Sequence, residues 1–266
     1  MTVQPPAVPA VPAIRRVPVL AYHVIGRGRS PLEITPDQFR AHMASLHDRG
    51  WRALSQDEFL DGLRGRSWPA RSVLLTFDDA TVSVAEHALP VLARYGFPAI
   101  LFAVSGRLGA TADWPGWPAD VDGRLMDAAA LREAAAAGIA IGAHSITHRS
   151  LARLAPSDAA QEIHGSRAQL EDAVGQTVRT FAYPYGDAPA WAVDVVGRHF
   201  DAGFGIGLSH ATSRSRPALI DRIDAYYLRE WPSLCALERP AARLLLGVRA
   251  IARRVRRAAG VAYPRR

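Results

Sequence analysis

Short apolar runs alternate along the chain with segments in which apolar residues recur every three or four positions. Residues 17–22, 73–77, 99–104, 139–143 and 180–182 are compact apolar runs that predict buried strands. Between them, residues 36–49, 84–95, 127–137 and 158–174 carry the helical period, and Gly50, Gly96, Gly138 and Gly175 close these segments where a left-handed residue ends a helix. Thr35-Pro36-Asp37-Gln38 is a helix start: a Thr cap, Pro at the first position, and Gln placed to reach back. Ser55-Gln56-Asp57-Glu58 repeats that box and opens a shorter helix ahead of Gly62. Strand and helix in regular alternation predict an α/β fold with a parallel sheet and helices outside it. In a parallel barrel, residues that directly follow strands share one rim, however far apart they lie in sequence.

Composition narrows this picture. A chain of 266 residues with 49% apolar content buries the core of one sizeable domain, and no composition break divides it. Residues 1–16 repeat Pro, Ala and Val without strand or helix period and are expected to be a disordered tail; residues 17–233 form the expected catalytic domain, and 234–266 a basic helical extension. No apolar run reaches the roughly 20 residues that span a bilayer, and the N-terminal residues lack the pattern of a secretory leader. Cys235 is the one cysteine, which excludes an internal disulfide and fits a reducing compartment. The expected location is therefore cytoplasmic, with membrane association as the addition the tail raises. The net charge of +7 comes from Arg alone, as the chain has no Lys, and together with abundant Ala it reads as compositional bias. No nucleic-acid docking motif accompanies it, so a nucleic-acid partner is not expected.

The chemistry concentrates after the strands. The run Leu74-Leu75-Thr76-Phe77 ends in Asp78-Asp79, and two adjacent carboxylates repel unless a cation or a shared proton stabilises them. His144-Ser145-Ile146-Thr147-His148 sets two imidazoles four residues apart, and Phe181-Ala182-Tyr183-Pro184-Tyr185-Gly186 follows the last strand. Asp79, His144 and His148 together are a ligand set typical of catalytic zinc, which keeps a position open for water. Asp78 is then available as a base. Each piece has a plainer reading: an Asp pair caps helices, two His decorate a polar turn, and Tyr-Pro-Tyr-Gly makes a tight turn. Their joint occurrence, each after a strand, favours the metal site.

With these motifs the chain resembles the polysaccharide deacetylase, or NodB-homology, family. Residues 17–23 and the helix start at Thr35-Pro36-Asp37-Gln38-Phe39 further resemble the subgroup that includes poly-N-acetylglucosamine deacetylases, and the likeness spans residues 17–225. It implies a distorted barrel of β/α units in a single domain. It also implies metal-dependent removal of acyl groups from amino sugars, with Asp78 as base and Asp79, His144 and His148 as ligands. The backbone N–H of Tyr185 would match the family's donor to the oxyanion, with Tyr183 and Pro184 shaping the groove floor. Phe77 and Ile146 are expected to pack only. Two positions depart from the family pattern. Ala80 stands where Gly usually follows the Asp pair, which is tolerable unless the backbone needs a positive φ. No late apolar segment supplies the His that many members use as acid. His23 is the candidate acid, against a purely structural role, and His210 is a weaker substitute. Arg222 either orients Asp78 through a bidentate pair or makes a plain salt bridge.

The expected activity is N-deacetylation of an amino sugar in a glycan or a lipid-linked glycan precursor. Alternatives are deformylation of a lipid-linked amino sugar and, in another class, a catalytically inactive carbohydrate-binding protein. Zinc is the expected ion, with cobalt, nickel or iron compatible with the same donors. A peptide metalloprotease is disfavoured, because no His-Glu-x-x-His helix is present. After Pro240, Leu244, Val248, Ile251 and Val255 form one helical stripe, with Arg249, Arg253, Arg256 and Arg257 largely off it. Such a helix either docks its stripe on the barrel, the favoured reading, or lies on an anionic membrane.

Overall fold

The computed structural model describes residues 13–229, 231 and 233–258. Eight parallel strands form the main sheet: β1 (Val19–Tyr22), β2 (Arg52–Ala53), β3 (Ser72–Phe77), β4 (Ile100–Ala103), β5 (Ala140–Ala143), β6 (Thr180–Ala182), β7 (Ala202–Phe204) and β8 (Ile223–Asp224). Their order is β7-β6-β5-β4-β3-β1-β8, with β2 paired to the first residues of β3. The sheet curls until its edges meet, where a parallel bridge joins Phe204 of β7 to Ile220, just before β8. This is a distorted β/α barrel, as the alternating pattern predicts.

Helices α1 (Pro36–His47), α2 (Gln56–Gly65), α3 (Leu89–Tyr95), α4 (Ala128–Ala136), α5 (Pro156–Val174) and α6 (Ala190–His199) precede the last helix, α7 (Pro240–Ala258). Both capping boxes form: Thr35 Oγ1 accepts from Gln38 N while Gln38 Oε1 accepts from Thr35 N, and Ser55 and Glu58 exchange the same two bonds. The segment expected as one helix from residue 84 begins instead with a π-helical turn, Val84–Ala88, before α3.

The alternation of strand side chains sorts the core into two parts. Val73, Leu75 and Phe77 of β3, with Leu101, Ala103, Ile141 and Phe181, face outward and pack under the helices. Leu74, Ile100, Phe102, Phe204 and Ile220 face inward, and Phe59 and Trp68 pack into the same inner cluster, their rings stacked 5.7 Å apart. The inward face of β3 therefore reads Leu74, Thr76, Asp78, which carries a carboxylate from the apolar interior to the barrel's mouth.

Two expected boundaries shift. Residues 1–12 of the expected tail lie outside the described residues, but residues 13–16 are paired. Ala13–Ile14 runs antiparallel to Trp68–Pro69, and Arg16–Val17 to Ala211–Thr212. Ile14 and Val17 have apolar neighbours to cover there, which outweighs the irregular composition before them. The boundary expected after residue 233 falls inside packed structure, because Leu234, Leu237 and Leu246 are buried in the outer core and Cys235 Sγ lies 3.1 Å from Ser45 O. The stripe of α7 is also not docked: Leu244, Val248, Ile251 and Val255 are 72%, 56%, 64% and 62% exposed. What faces the barrel is the opposite side, where Leu246 and Ala242 are buried, Arg249 donates to Tyr227 O and Arg253 to Ile206 O.

Candidate metal centre and acid–base site

The site is built from the turns that follow β3, β5 and β6. Asp79 turns out of β3 with φ 68°, and Ala80 continues at φ 51°. The condition under which Ala is costly at position 80 is thus met, because the backbone there is left-handed. After β5, Ser145 at φ 65° and His148 at φ 58° fold the loop so that both imidazoles return to the same point. His144 Nε2 lies 3.6 Å and His148 Nε2 3.4 Å from Asp79 Oδ1. The three residues are buried and offer ligand atoms all within 4.8 Å of one another.

This cluster fits a divalent ion. A tetrahedral ion with bonds of about 2.0–2.1 Å sets its ligand atoms about 3.3–3.4 Å apart. His144 Nδ1 donates to Ala182 O at 2.8 Å, which leaves the Nε2 lone pair directed at Asp79. Asp79 Oδ1 is buried with no hydrogen-bond partner, a costly state for a carboxylate unless a cation satisfies it. Burial pushes the Asp79 carboxyl upward, aided by Asp78, while the nearby imidazoles oppose the shift. Burial and the neighbouring His144 push His148 down to about 2, which keeps its imidazole neutral and able to donate a lone pair.

Asp78 is held apart from this cluster. Arg222 Nη1 donates to Asp78 Oδ1 at 2.6 Å and Nη2 to Oδ2 at 2.7 Å, a two-point grip. The guanidinium is itself fixed by Gly205 O at 3.0 Å and Thr76 Oγ1 at 3.1 Å, and it lies over Phe102 and Phe204. Burial alone would raise the Asp78 carboxyl, but the charge and hydrogen bonds of Arg222, with the imidazoles of His144 and His23 acting in the same direction, outweigh it and hold the group well below the usual carboxylate range. His23, directly after β1, places Nε2 3.6 Å from Asp78 Oδ2 and stays 16% exposed, so it borders the same mouth.

Other expected residues divide. The Tyr183 side chain is turned into the core: its hydroxyl donates to Ala218 O at 2.6 Å and its ring meets Phe181 edge-on. It therefore does not form a groove floor, because the inward-outward alternation of β6 sends this ring beneath the helices. Pro184 is buried beside it, and Tyr185 takes a left-handed turn at φ 58° that brings its ring to 4.7 Å from His148. His210 contacts the Leu237 backbone near Arg16 and Arg243 rather than Asp78. Phe77 is buried in the outer core.

Three contributors escaped the sequence reading. Glu162, on the buried face of α5, accepts from Ile146 N at 2.8 Å, Thr147 N at 2.9 Å and Thr147 Oγ1 at 2.5 Å, and so clamps the loop between the two imidazoles. An acid on an apolar helix face was its only signal. Trp114 lies against His148 with ring centroids 4.2 Å apart, and Trp117 stands edge-on to it at 5.5 Å. The doubled Trp-Pro of residues 114–118 was visible but has no period that points to a site. Tyr185 Oη donates to Pro115 O at 3.1 Å and ties this loop to the turn after β6.

A barrel fold, a three-residue ligand cluster and a separately held carboxylate together define the site. The family profile for polysaccharide deacetylase matches residues 65–199, and the chain belongs to that family. Over 172 residues it is 30% identical to YxkH of Bacillus subtilis, a protein placed among the polysaccharide deacetylases; the match covers 64% of this chain and 57% of that one. Over 76 residues it is 32% identical to a poly-beta-1,6-N-acetyl-D-glucosamine N-deacetylase of Staphylococcus aureus, covering 29% and 26% of the two chains. The chain thus spans little more than half the length of the first relative and about a quarter of the second. Among solved structures, IcaB from Ammonifex degensii superposes with a TM-score of 0.69 at 24% identity, covering 82% of this chain and 97% of that one. The Streptococcus pyogenes deacetylase PplD, determined with acetate, gives 0.69 at 22%, covering 79% and 92%. At these identities the likeness is one of fold.

Proposed function

We propose that this protein removes the N-acetyl group from an amino sugar carried in a glycan or a lipid-linked glycan precursor, using a divalent metal, with zinc the first candidate. The observation that carries this reading is the separation of roles: Asp79, His144 and His148 converge on one point, while Asp78 is gripped by Arg222. Family membership and the activity for which the staphylococcal relative is named support the substrate class.

In this reading Asp79 Oδ1 and the Nε2 atoms of His144 and His148 hold the ion. The chemistry such an ion supplies is acidification of a water to a pKa of about 7 and polarisation of the acyl carbonyl. Asp78, ionised at neutral pH, takes the proton of the attacking water, and Arg222 holds its carboxylate at a fixed angle while doing so. The backbone N–H of Tyr185 donates to the developing oxyanion, a contribution of a few kcal/mol for a preorganised donor. His23 protonates the departing amine from the rim. Trp114 and Tyr185 flank His148 and keep its ring from swinging away.

The test is release of acetate and of formate from N-acylated oligosaccharides, with and without chelator. Acetate release abolished by chelator and restored by zinc is expected; formate release alone would favour the deformylase, and glycan binding without acyl release would favour an inactive binder. Asp78→Asn should lose turnover and keep its metal, whereas His144→Ala and His148→Ala should lose metal. Full metal content in both His variants contradicts the ligand assignment. His23→Phe should stop amide cleavage yet spare 4-nitrophenyl acetate, whose leaving group needs no proton; equal loss on both substrates would assign His23 to structure.

A further inference from the structure

The outward face of α7 has no counterpart in the catalytic reading. Leu244, Leu245, Val248, Ile251 and Val255 are all exposed, from 43% to 72%, and they are the large apolar side chains the described residues leave in solvent. Positions 244, 248, 251 and 255 alternate by four and three, so they form one continuous stripe directed away from the barrel. The helix carries six arginines and no acid. The nine arginines after Glu238, with no carboxylate among those residues, exceed the whole net charge of +7. The basic character therefore belongs to this helix and its flank and is not spread evenly over the chain.

A hollow of about 670 Å³ adjoins the start of the stripe, lined by Arg49, Arg71 and Arg239 together with Trp51 and Pro240. Pro240 lies four residues before Leu244, on the same face of the helix. Among the described residues, none of these three guanidiniums forms an ion pair with a carboxylate. Apolar stripe and unpaired positive charge thus share one surface.

We propose that this surface docks on an anionic phospholipid membrane, the stripe entering the headgroup boundary while Arg49, Arg71 and Arg239 beside it meet lipid phosphates. A second copy of the chain is the poorer occupant, because pairing the two surfaces would bring Arg49, Arg71 and Arg239 of one copy toward the same three of the other. The proposal is independent of the acyl chemistry.

The experiment uses the full chain with vesicles of phosphatidylcholine alone or containing about one third phosphatidylglycerol, read by co-sedimentation at low and high salt. Binding to the anionic vesicles at least about tenfold stronger than to neutral ones, weakened by salt, is expected. Leu244→Glu with Ile251→Glu should reduce that binding at least about tenfold while leaving circular dichroism and acetate release from a soluble oligosaccharide unchanged. Equal vesicle binding by the variant and the parent, or equal binding to neutral and anionic vesicles, overturns the proposal. So does concentration-dependent dimerisation of the parent that the variant lacks.

Discussion

Replacing Arg222 by Met tests the idea that Asp78 is kept ionised by one buried partner. The guanidinium is 1% exposed and Asp78 3%, so nothing from solvent takes its place when it is removed. Breaking a buried ion pair from one side costs about 3–5 kcal/mol, because the remaining charge is stranded. The pH dependence identifies the cause. In the parent the Asp78 carboxyl lies below its unfolded value, so its contribution is fully present above about pH 4 and is lost only at lower pH. In Arg222→Met the upward push of burial is opposed only by the imidazoles of His144 and His23, and the group is expected above its unfolded value. The variant's deficit should therefore be largest at pH 7.5 and shrink toward pH 5 as Asp78 takes up a proton. Each unit by which that raised value exceeds 5 returns about 1.4 kcal/mol. Urea unfolding of both proteins in chelator, at pH 7.5 and 5.0, measures the difference by linear extrapolation. Histidines remote from Asp78 are common to both proteins and cancel. A deficit equal at the two pH values, or smaller than about 1 kcal/mol, refutes the reasoning. On the activity side, Asp78→Asn and Arg222→Met combined should be no slower than Asp78→Asn alone, since the two act as one unit.

Other consequences follow from particular contacts. Ala80→Gly relieves a left-handed Ala and should stabilise by about 0.5–1 kcal/mol, raising the thermal midpoint by a few degrees at unchanged metal affinity; a lower midpoint would show that the turn is not strained. Glu162→Ala frees the loop between His144 and His148 and should weaken metal binding about 10–100-fold in a chelator competition, as loss of a ligand-orienting partner does; unchanged affinity would make Glu162 a stability residue only. His42 accepts from Tyr22 Oη, which suits the neutral ring, and donates to Leu228 O, which favours the protonated one; burial outweighs the latter and pushes the group from 6.5 down to about 4. Its stabilisation is present above pH 6.5 and lost as pH falls toward 4, about 3 kcal/mol in all, and His42→Gln should flatten that part of the acid limb. His210, also pushed down to about 4, supplies a similar part that the variant keeps; an acid limb identical to the parent's would refute the assignment.

Much of this architecture is written locally. The five strands β1 and β3 to β6 and the capped helices α1 and α2 have runs and caps contained within a few residues, and the three motifs lie after the strands expected to deliver them. The strands β2 and β8 are two residues each, shorter than any period, and exist because Ser72–Val73 and Leu20–Ala21 lie beside them. Helix α6 opens after Pro189 with no side-chain cap, so its start carries no polar signal. Arg222 was visible as an arginine, but its two-point contact spans 144 residues and depends on barrel closure. The stripe on α7 shows the opposite limit: periodicity identifies an apolar face and says nothing about what covers it.

The site also concentrates backbone strain. Of the eight described non-glycine residues with positive φ, five are Asp79, Ala80, Ser145, His148 and Tyr185, so each motif contains at least one. A strand that ends at a barrel rim points its next residues away from the axis, and a ligand can be turned back within one or two positions only by reversing the chain sharply. The left-handed region provides that reversal at about 1–2 kcal/mol for each ordinary residue, less for Asp. Five such residues together approach the net stability of a typical domain, about 5–15 kcal/mol, so the turns persist only where neighbours over-determine them. Met126 N donates to Ala80 O, Ser105 N to Ser145 O, Gly106 N to Ile146 O and His148 N to Ser145 Oγ, and Glu162 completes the clamp. Apart from the His148–Ser145 bond, these come from segments outside the three motifs, which is why the motifs name the chemistry while the surrounding loops set its geometry.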